Sequence, residues 1–216
     1  MQNAEQGKIV AMSEQKEIVV VSPHLDDAVI MCGATIDKLT SNGLKVNVLN
    51  LTGGTDEKER QTDKQILSQI GVHDVFNFTL NSPTEIRNIL EKAKLLIIPH
   101  RTDMISEHRN ERTKFLGFLN SCHISSWIIE TGCPLTTKLD VDISITLSKE
   151  NLQRKAECLK LYDWYPDAPP SKIFDIVHNR DWIWYYATYF GQKVGEDIVE
   201  VFDLSDVMTL ELEDFL

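Results

Sequence analysis

Apolar positions along the chain alternate between a strand-like and a helix-like pattern. Glu17–Ser22 holds the β-branched run Ile18-Val19-Val20-Val21 and predicts a strand. Between Val29 and Leu39 the apolar residues fall at 29, 32, 36 and 39, a helical stripe. Asn42-Gly43, a pair suited to a left-handed cap, closes it. Lys45–Leu51 predicts a second strand, Glu57–Ile70 a helix stopped by Gly71, and Val75–Leu80 a third strand. Ser82-Pro83-Thr84-Glu85 is a capping box with proline at the first helical position, so a helix starts there. Leu95–Pro99 is short and wholly apolar, as a strand buried on both faces should be.

A polar segment, His100–Glu107, follows, and then a helix over Arg109–Leu119. Trp127–Glu130 and Val141–Thr146 predict further strands, and Leu152–Tyr162 an amphipathic helix after Ser148. An aromatic segment, Trp182–Tyr186, precedes a last strand, Ile198–Leu204. This early βαβα order predicts an α/β fold with a Rossmann-like, mostly parallel sheet flanked by helices. Residues 1–15 are expected to be a flexible leader, and 16–216 one α/β domain with Pro166–Pro170 in a loop.

Composition narrows the function classes. With 216 residues, 42% of them hydrophobic and 25% charged, the chain can bury a full core. A net charge of -11 argues against nucleic acid and anionic lipid as partners. Cys32, Cys122, Cys133 and Cys158 form no CxxC pair, which suits reduced thiols in a cytoplasmic setting. No apolar run approaches the ~18–20 residues needed to span a bilayer. The expected partner is a small molecule, and a homo-oligomer is compatible with the sequence.

The chemistry concentrates in Ser22-Pro23-His24-Leu25-Asp26-Asp27, at the mouth of the first strand. His24 and Asp27 are spaced to bend toward one point, and an imidazole with a carboxylate suits zinc. A third ligand is expected from another loop on the same sheet edge. His108 is the choice, since the segment after Leu95–Pro99 opens there. Two histidines and one aspartate leave a coordination position for water, the catalytic pattern. Asp26, beside a ligand, is the candidate general base. An Asp-Asp pair before a helix is also a common N-terminal cap, and an isolated histidine in a polar segment such as His108 is more often a solvated surface residue.

These residues resemble a known family. The first motif is similar to the (A/S)-H-P-D-D-E motif of the LmbE-like, or PIG-L, deacetylases, zinc-dependent enzymes of N-acetylglucosamine type with a Rossmann-like fold. The resemblance extends through Gly33, Leu51-Thr52-Gly53-Gly54, Arg60-Gln61-Thr62-Asp63 with Ile70-Gly71-Val72, Asp140–Ser144 with Lys155, and Glu200-Val201-Phe202. The family's second motif, D-x-H-P-D-H, corresponds to Asp103-Met104-Ile105-Ser106-Glu107-His108. The resemblance implies His24, Asp27 and His108 as zinc ligands, Asp26 as general base and Arg60 facing substrate. His100 and Asp103 are further substrate-side candidates, and His100 competes with His108 as third ligand.

Two positions depart from the family. Ala28 stands where the first motif ends in glutamate, and Ile105 where the second has its first histidine. In the family that histidine is thought to assist the tetrahedral intermediate. His100, Arg101 and His178 are candidates to replace it.

The implied activity is zinc-dependent removal of an N-acyl group, foremost acetyl, from an amino sugar or sugar-containing metabolite. A relative that keeps the metal site but only binds a ligand or a protein partner is one alternative. An amide hydrolase for another N-acyl substrate is the other. Trp164, beside Tyr165-Pro166-Asp167, is a candidate to stack on a sugar ring. Gly53-Gly54 is expected to form a tight turn rather than a phosphate cradle, since no GxGxxG or GxxxxGK[ST] is present.

Overall fold

The structure, a computed structural model, describes residues 17–54, 56–132, 142–162 and 180–204. In chain order its elements are β1 (Glu17–Ser22), α1 (Asp27–Ser41), β2 (Lys45–Asn50), α2 (Glu57–Gln69), β3 (Asp74–Asn77), α3 (Pro83–Lys92) and β4 (Ala93–Pro99). After these come α4 (Ser106–Cys122), β5 (Trp127–Thr131), β6 (Ile143–Thr146), α5 (Lys149–Leu159), α6 (Arg180–Val194) and β7 (Val199–Leu204). The strands form one sheet in the order β3-β2-β1-β4-β5-β7-β6. The first five run parallel, and β7 pairs antiparallel with both β5 and β6. The expected mostly parallel, helix-flanked sheet is therefore present.

The apolar runs read from the sequence explain the layering. On β1, Ile18 and Val20 join the core under α1, α2, α5 and α6, while Val19 and Val21 join the core under α3 and α4. Both faces of the strand are dry, which is why its sequence shows no polar alternation. β1 lies between β2 and β4, so the winding direction of the sheet reverses there. A crevice must open between the loops after β1 and β4, at the carboxyl edge where ligands bind in such folds.

Element boundaries differ from expectation at instructive places. The third strand stops at Asn77 instead of running to Leu80. Asn81 Oδ1 accepts from Asn77 N at 2.8 Å, and Asn81 N donates to Asn77 O at 2.8 Å, so a turn replaces the strand. α4 starts at Ser106, ahead of the expected Arg109, which moves Glu107 and His108 from a loop onto a first helical turn. Its N-cap residue, Ile105, makes no side-chain cap bond, so the sequence carries no start signal there. α5 likewise begins at Lys149, behind a capping box of Ser148 and Asn151.

Two later motif residues, Lys155 and Glu200, turn out to be architectural. α1 leaves helical geometry at Cys32 (φ -145°, ψ 30°). Close to that break, Thr35 N donates to Glu200 Oε2 at 2.7 Å, and Lys155 Nζ meets Glu200 Oε1 at 2.6 Å. This buried pair ties α1, α5 and β7 together and gives the carboxylate the partners its burial requires.

The leader at 1–15, the loop Pro166–Pro170, Trp164 and His178 lie outside the described residues.

Candidate metal centre

The loop after β1 is shaped by hydrogen bonds before any ligand is considered. Leu51 N donates to Ser22 O at 2.8 Å, and Thr52 donates to Pro23 O through both N and Oγ1 at 3.1 and 2.8 Å. Ser22 Oγ accepts from Ala28 N at 2.9 Å, taking one of the orphan donors at the start of α1. Asp26 occupies the N-cap position, but its side chain makes no cap bond. The capping explanation for the Asp-Asp pair thus does not apply to Asp26. Asp27, in the first turn, aims Oδ2 backward and accepts from His24 N at 2.9 Å.

His108 comes from the first turn of α4 and completes a cluster. His24 Nδ1 lies 3.0 Å from Asp27 Oδ2, His108 Nε2 lies 3.2 Å from the same oxygen, and the two ring nitrogens are 3.2 Å apart. Donors bound at ~2.1 Å around a tetrahedral ion stand ~3.4 Å apart, so this triangle is close to one face of a coordination tetrahedron. Among the described residues these three are the group whose donor atoms converge for a metal ion. Asp27 and His108 are buried, whereas His24 is half-buried and gives the site its open side.

Behind the triangle, carboxylates fix both rings. His108 Nδ1 faces Asp103 Oδ2 at 2.9 Å, so Nδ1 carries the proton and Nε2 turns a lone pair to the centre. His24 Nε2 lies 3.4 Å from Glu107 Oε1. Burial works to raise the Asp27 carboxyl, but hydrogen bonds and charge from His108 and His24 overcome it and hold Asp27 well below the usual carboxylate range. Burial likewise opposes the His24 imidazolium, yet the Asp27 carboxylate prevails and raises His24 above an ordinary imidazole. An electropositive occupant in place of those protons is what this donor set favours.

The other expected site residues divide. Arg60 lies at the glycine turn, bonded to Glu57 Oε2 at 2.7 Å and to Gly54 O at 3.3 Å. Gly53 and Gly54 both have positive φ, and a Cβ on Gly54 would meet Leu25 Cδ1 at 2.7 Å. That turn exists to let the chain pass the first motif closely. Asp103, expected to face substrate, is instead buried behind His108.

His100 meets a different set of partners. It is buried, with Nε2 2.7 Å from Asp203 Oδ2 and Nδ1 accepting from Thr102 N at 3.1 Å. Both ring nitrogens are committed to these partners, and His100 is not among the converging donors. Arg101 pairs with Glu130 Oε2 at 3.2 Å.

Sequence reasoning missed a buried neighbour of Asp26. Asp63 accepts from Tyr162 Oη at 2.7 Å and from Asn50 Nδ2 at 2.9 Å. Burial pushes its carboxyl up to about 7, with the Asp26 charge adding to the rise. The one clue in the sequence is its place in the Arg60–Asp63 motif.

Comparison with known proteins follows the same lines. Residues 19–113 match the model of the family described as PIG-L: GlcNAc-PI de-N-acetylase, a segment that carries all three converging donors. No curated protein sequence gives a significant match. Among solved structures, N,N'-diacetylchitobiose deacetylase from Pyrococcus horikoshii is 19% identical with a TM-score of 0.64, covering 88% of this chain and 84% of that one. The zinc-inhibited form of teicoplanin deacetylase is 14% identical with a TM-score of 0.64, covering 89% and 100%. A 4-carboxy-2-hydroxymuconate hydratase from Pseudomonas putida is 12% identical with a TM-score of 0.64, covering 91% and 98%. Identities this low establish a shared fold.

Proposed function

From the PIG-L (LmbE-like) match over residues 19–113 we propose that this chain is a zinc-dependent hydrolase that removes an N-acyl group, foremost acetyl, from an amino sugar or a sugar-containing metabolite. The observation that carries the reading is the convergence of His24 Nδ1, Asp27 Oδ2 and His108 Nε2. Two deacetylases among the structural neighbours support the reaction class.

His24, Asp27 and His108 would hold the zinc, which would supply Lewis acidity toward an amide carbonyl and a water with its pKa lowered toward ~7. Asp26 serves as the general base, accepting a proton from the attacking water and returning it to the departing amine. Asp103 keeps His108 in the Nδ1-protonated tautomer. Arg60, one-fifth exposed at the turn that packs on Leu25, faces the polar part of the substrate. Trp164 stacks on the sugar ring in this reading.

The test is metal analysis of the purified protein, followed by a screen of the zinc-loaded chain for amine release from N-acyl sugars and N-acyl amino acids. Release from N-acetyl sugars, lost on chelation, is the expected result. Release only from non-sugar amides would replace the substrate class and leave the chemistry standing.

A second reading has its own observation. Ile105 offers no proton at the head of α4, and the nearest replacements in sequence, His100 and Arg101, are engaged elsewhere. A chain that keeps the metal centre and binds a sugar-like ligand with little turnover fits that fact. Zinc binding with no amine release from any member of the panel would favour it.

A further inference from the structure

His100 is a buried titratable group that the proposed mechanism does not use. Its ring is the hub of a polar network at the carboxyl edge of β4. Thr102 N can only donate, so its 3.1 Å bond to Nδ1 makes that nitrogen the acceptor. Thr102 Oγ1 reaches the same nitrogen at 2.9 Å. The ring proton therefore sits on Nε2 and is donated to Asp203 Oδ2 at 2.7 Å. The His100 main chain adds two bonds: its N donates to Thr131 O at 3.0 Å, and its O accepts from Asp103 N at 3.2 Å. Glu130, 3.9 Å from Nε2, is neutralised by Arg101 and Arg112.

The network leads to the metal centre through one residue. Asp103, three positions on, accepts from Ile105 N at Oδ1 (2.8 Å), from Arg109 Nη1 at its carbonyl, and meets His108 Nδ1 at Oδ2 (2.9 Å). Every polar atom of Asp103 is thus fixed by the 100–109 segment. That segment is in turn anchored to the sheet by His100. The anchor, Asp203, stands in β7, paired opposite Glu130 and far beyond the family-matched segment.

We propose that His100, held by Asp203, is a positioning residue for the metal centre: it fixes the turn from which Asp103 presents His108 Nε2. This rests on the metal-binding reading above. Carboxylates behind metal-bound histidines typically govern affinity by 10–100-fold, and loosening the turn that aims one should act through the same term.

The experiment measures zinc affinity of the full chain by chelator competition, together with the visible absorption of the cobalt(II)-loaded protein. His100→Ala and Asp203→Ala are expected to weaken zinc by about 10-fold or more and to shift the cobalt bands. Asp203→Asn keeps an acceptor for Nε2–H and should stay within about threefold of the parent. Leu90→Ala, a core truncation in α3, controls for lost stability and should keep parental affinity. A folded His100→Ala with parental affinity and cobalt bands would overturn the proposal. Should that variant not fold, equal affinities for Asp203→Ala and Asp203→Asn would do the same. A parent that binds no zinc removes the metal reading and this inference together. A zinc-binding parent with indifferent variants removes only the inference.

Discussion

Tyr162 Oη donates to Asp63 Oδ1 at 2.7 Å, joining the end of α5 to α2 in a space from which both side chains exclude water. Asp63 keeps its proton to about pH 7, chiefly because it is buried, whereas an unfolded aspartate loses it near pH ~4. Between those values the folded state binds more protons than the unfolded one, so stability falls as pH rises and levels off above about 7. The full effect of three pKa units is on the order of 4 kcal/mol. Asp63→Asn preserves an acceptor for Tyr162 and removes the titration. Urea unfolding of metal-free protein at pH 5 and pH 8 should show a smaller loss in the variant than in the parent. Equal losses would place the pH dependence elsewhere.

Metal binding should compete with protons at the centre. His24 gains its raised pKa from Asp27, and that proton must leave before Nδ1 can serve as a ligand. Zinc affinity should therefore drop as pH is lowered through the His24 titration, with protons released on binding. Calorimetry in buffers of different ionisation enthalpy counts them. Saturation at 100 times Kd should stabilise the fold by about 2.7 kcal/mol, and chelation should reverse the gain.

Asp26→Asn tests the general base. The side chain is half-buried and does not cap α1, so the change should leave fold and zinc affinity near parental. Turnover should fall by ~10²–10⁴. Parallel zinc titration and single-substrate kinetics separate the two effects, and undiminished kcat would move the base to another group.

Ile105→His separates turnover from binding alone. Ile105 uses backbone groups here, its N–H donating to Asp103 and its carbonyl accepting from Arg109 N, and its side chain makes no cap bond, so the substitution can be accommodated at the head of α4. A gain of ~10²-fold or more in amine release would identify the parent as a chain lacking its acid. A fully active parent that does not respond would mean that a different residue donates the proton.

Much of the fold was legible because burial dictates composition locally. Ile18–Val21 and Leu95–Pro99 are apolar on both faces because helices cover both faces of the sheet, and a strand buried in this way calls for that pattern. Ser82 and Glu85 declared the start of α3 because a capping box satisfies its donors within four residues. The start of α4 left no such mark. Its support is Asp103, outside the helix, and an isoleucine fills the N-cap.

The sequence by itself determined which residues of the first motif could bind a metal, since His24 and Asp27 are neighbours on a loop whose course is set by the strand before it. It also implied that the early strands run parallel, through their alternation with helices. Only the tertiary structure placed His108, and not His100, beside His24 and Asp27. Both follow β4 and are alike in chemistry, but Asp203, delivered by an antiparallel strand from the far end of the chain, draws His100 away. Asp103 turns His108 toward His24 and Asp27. Long-range pairing set those two outcomes, and no local pattern in the sequence encodes which carboxylate a histidine will meet.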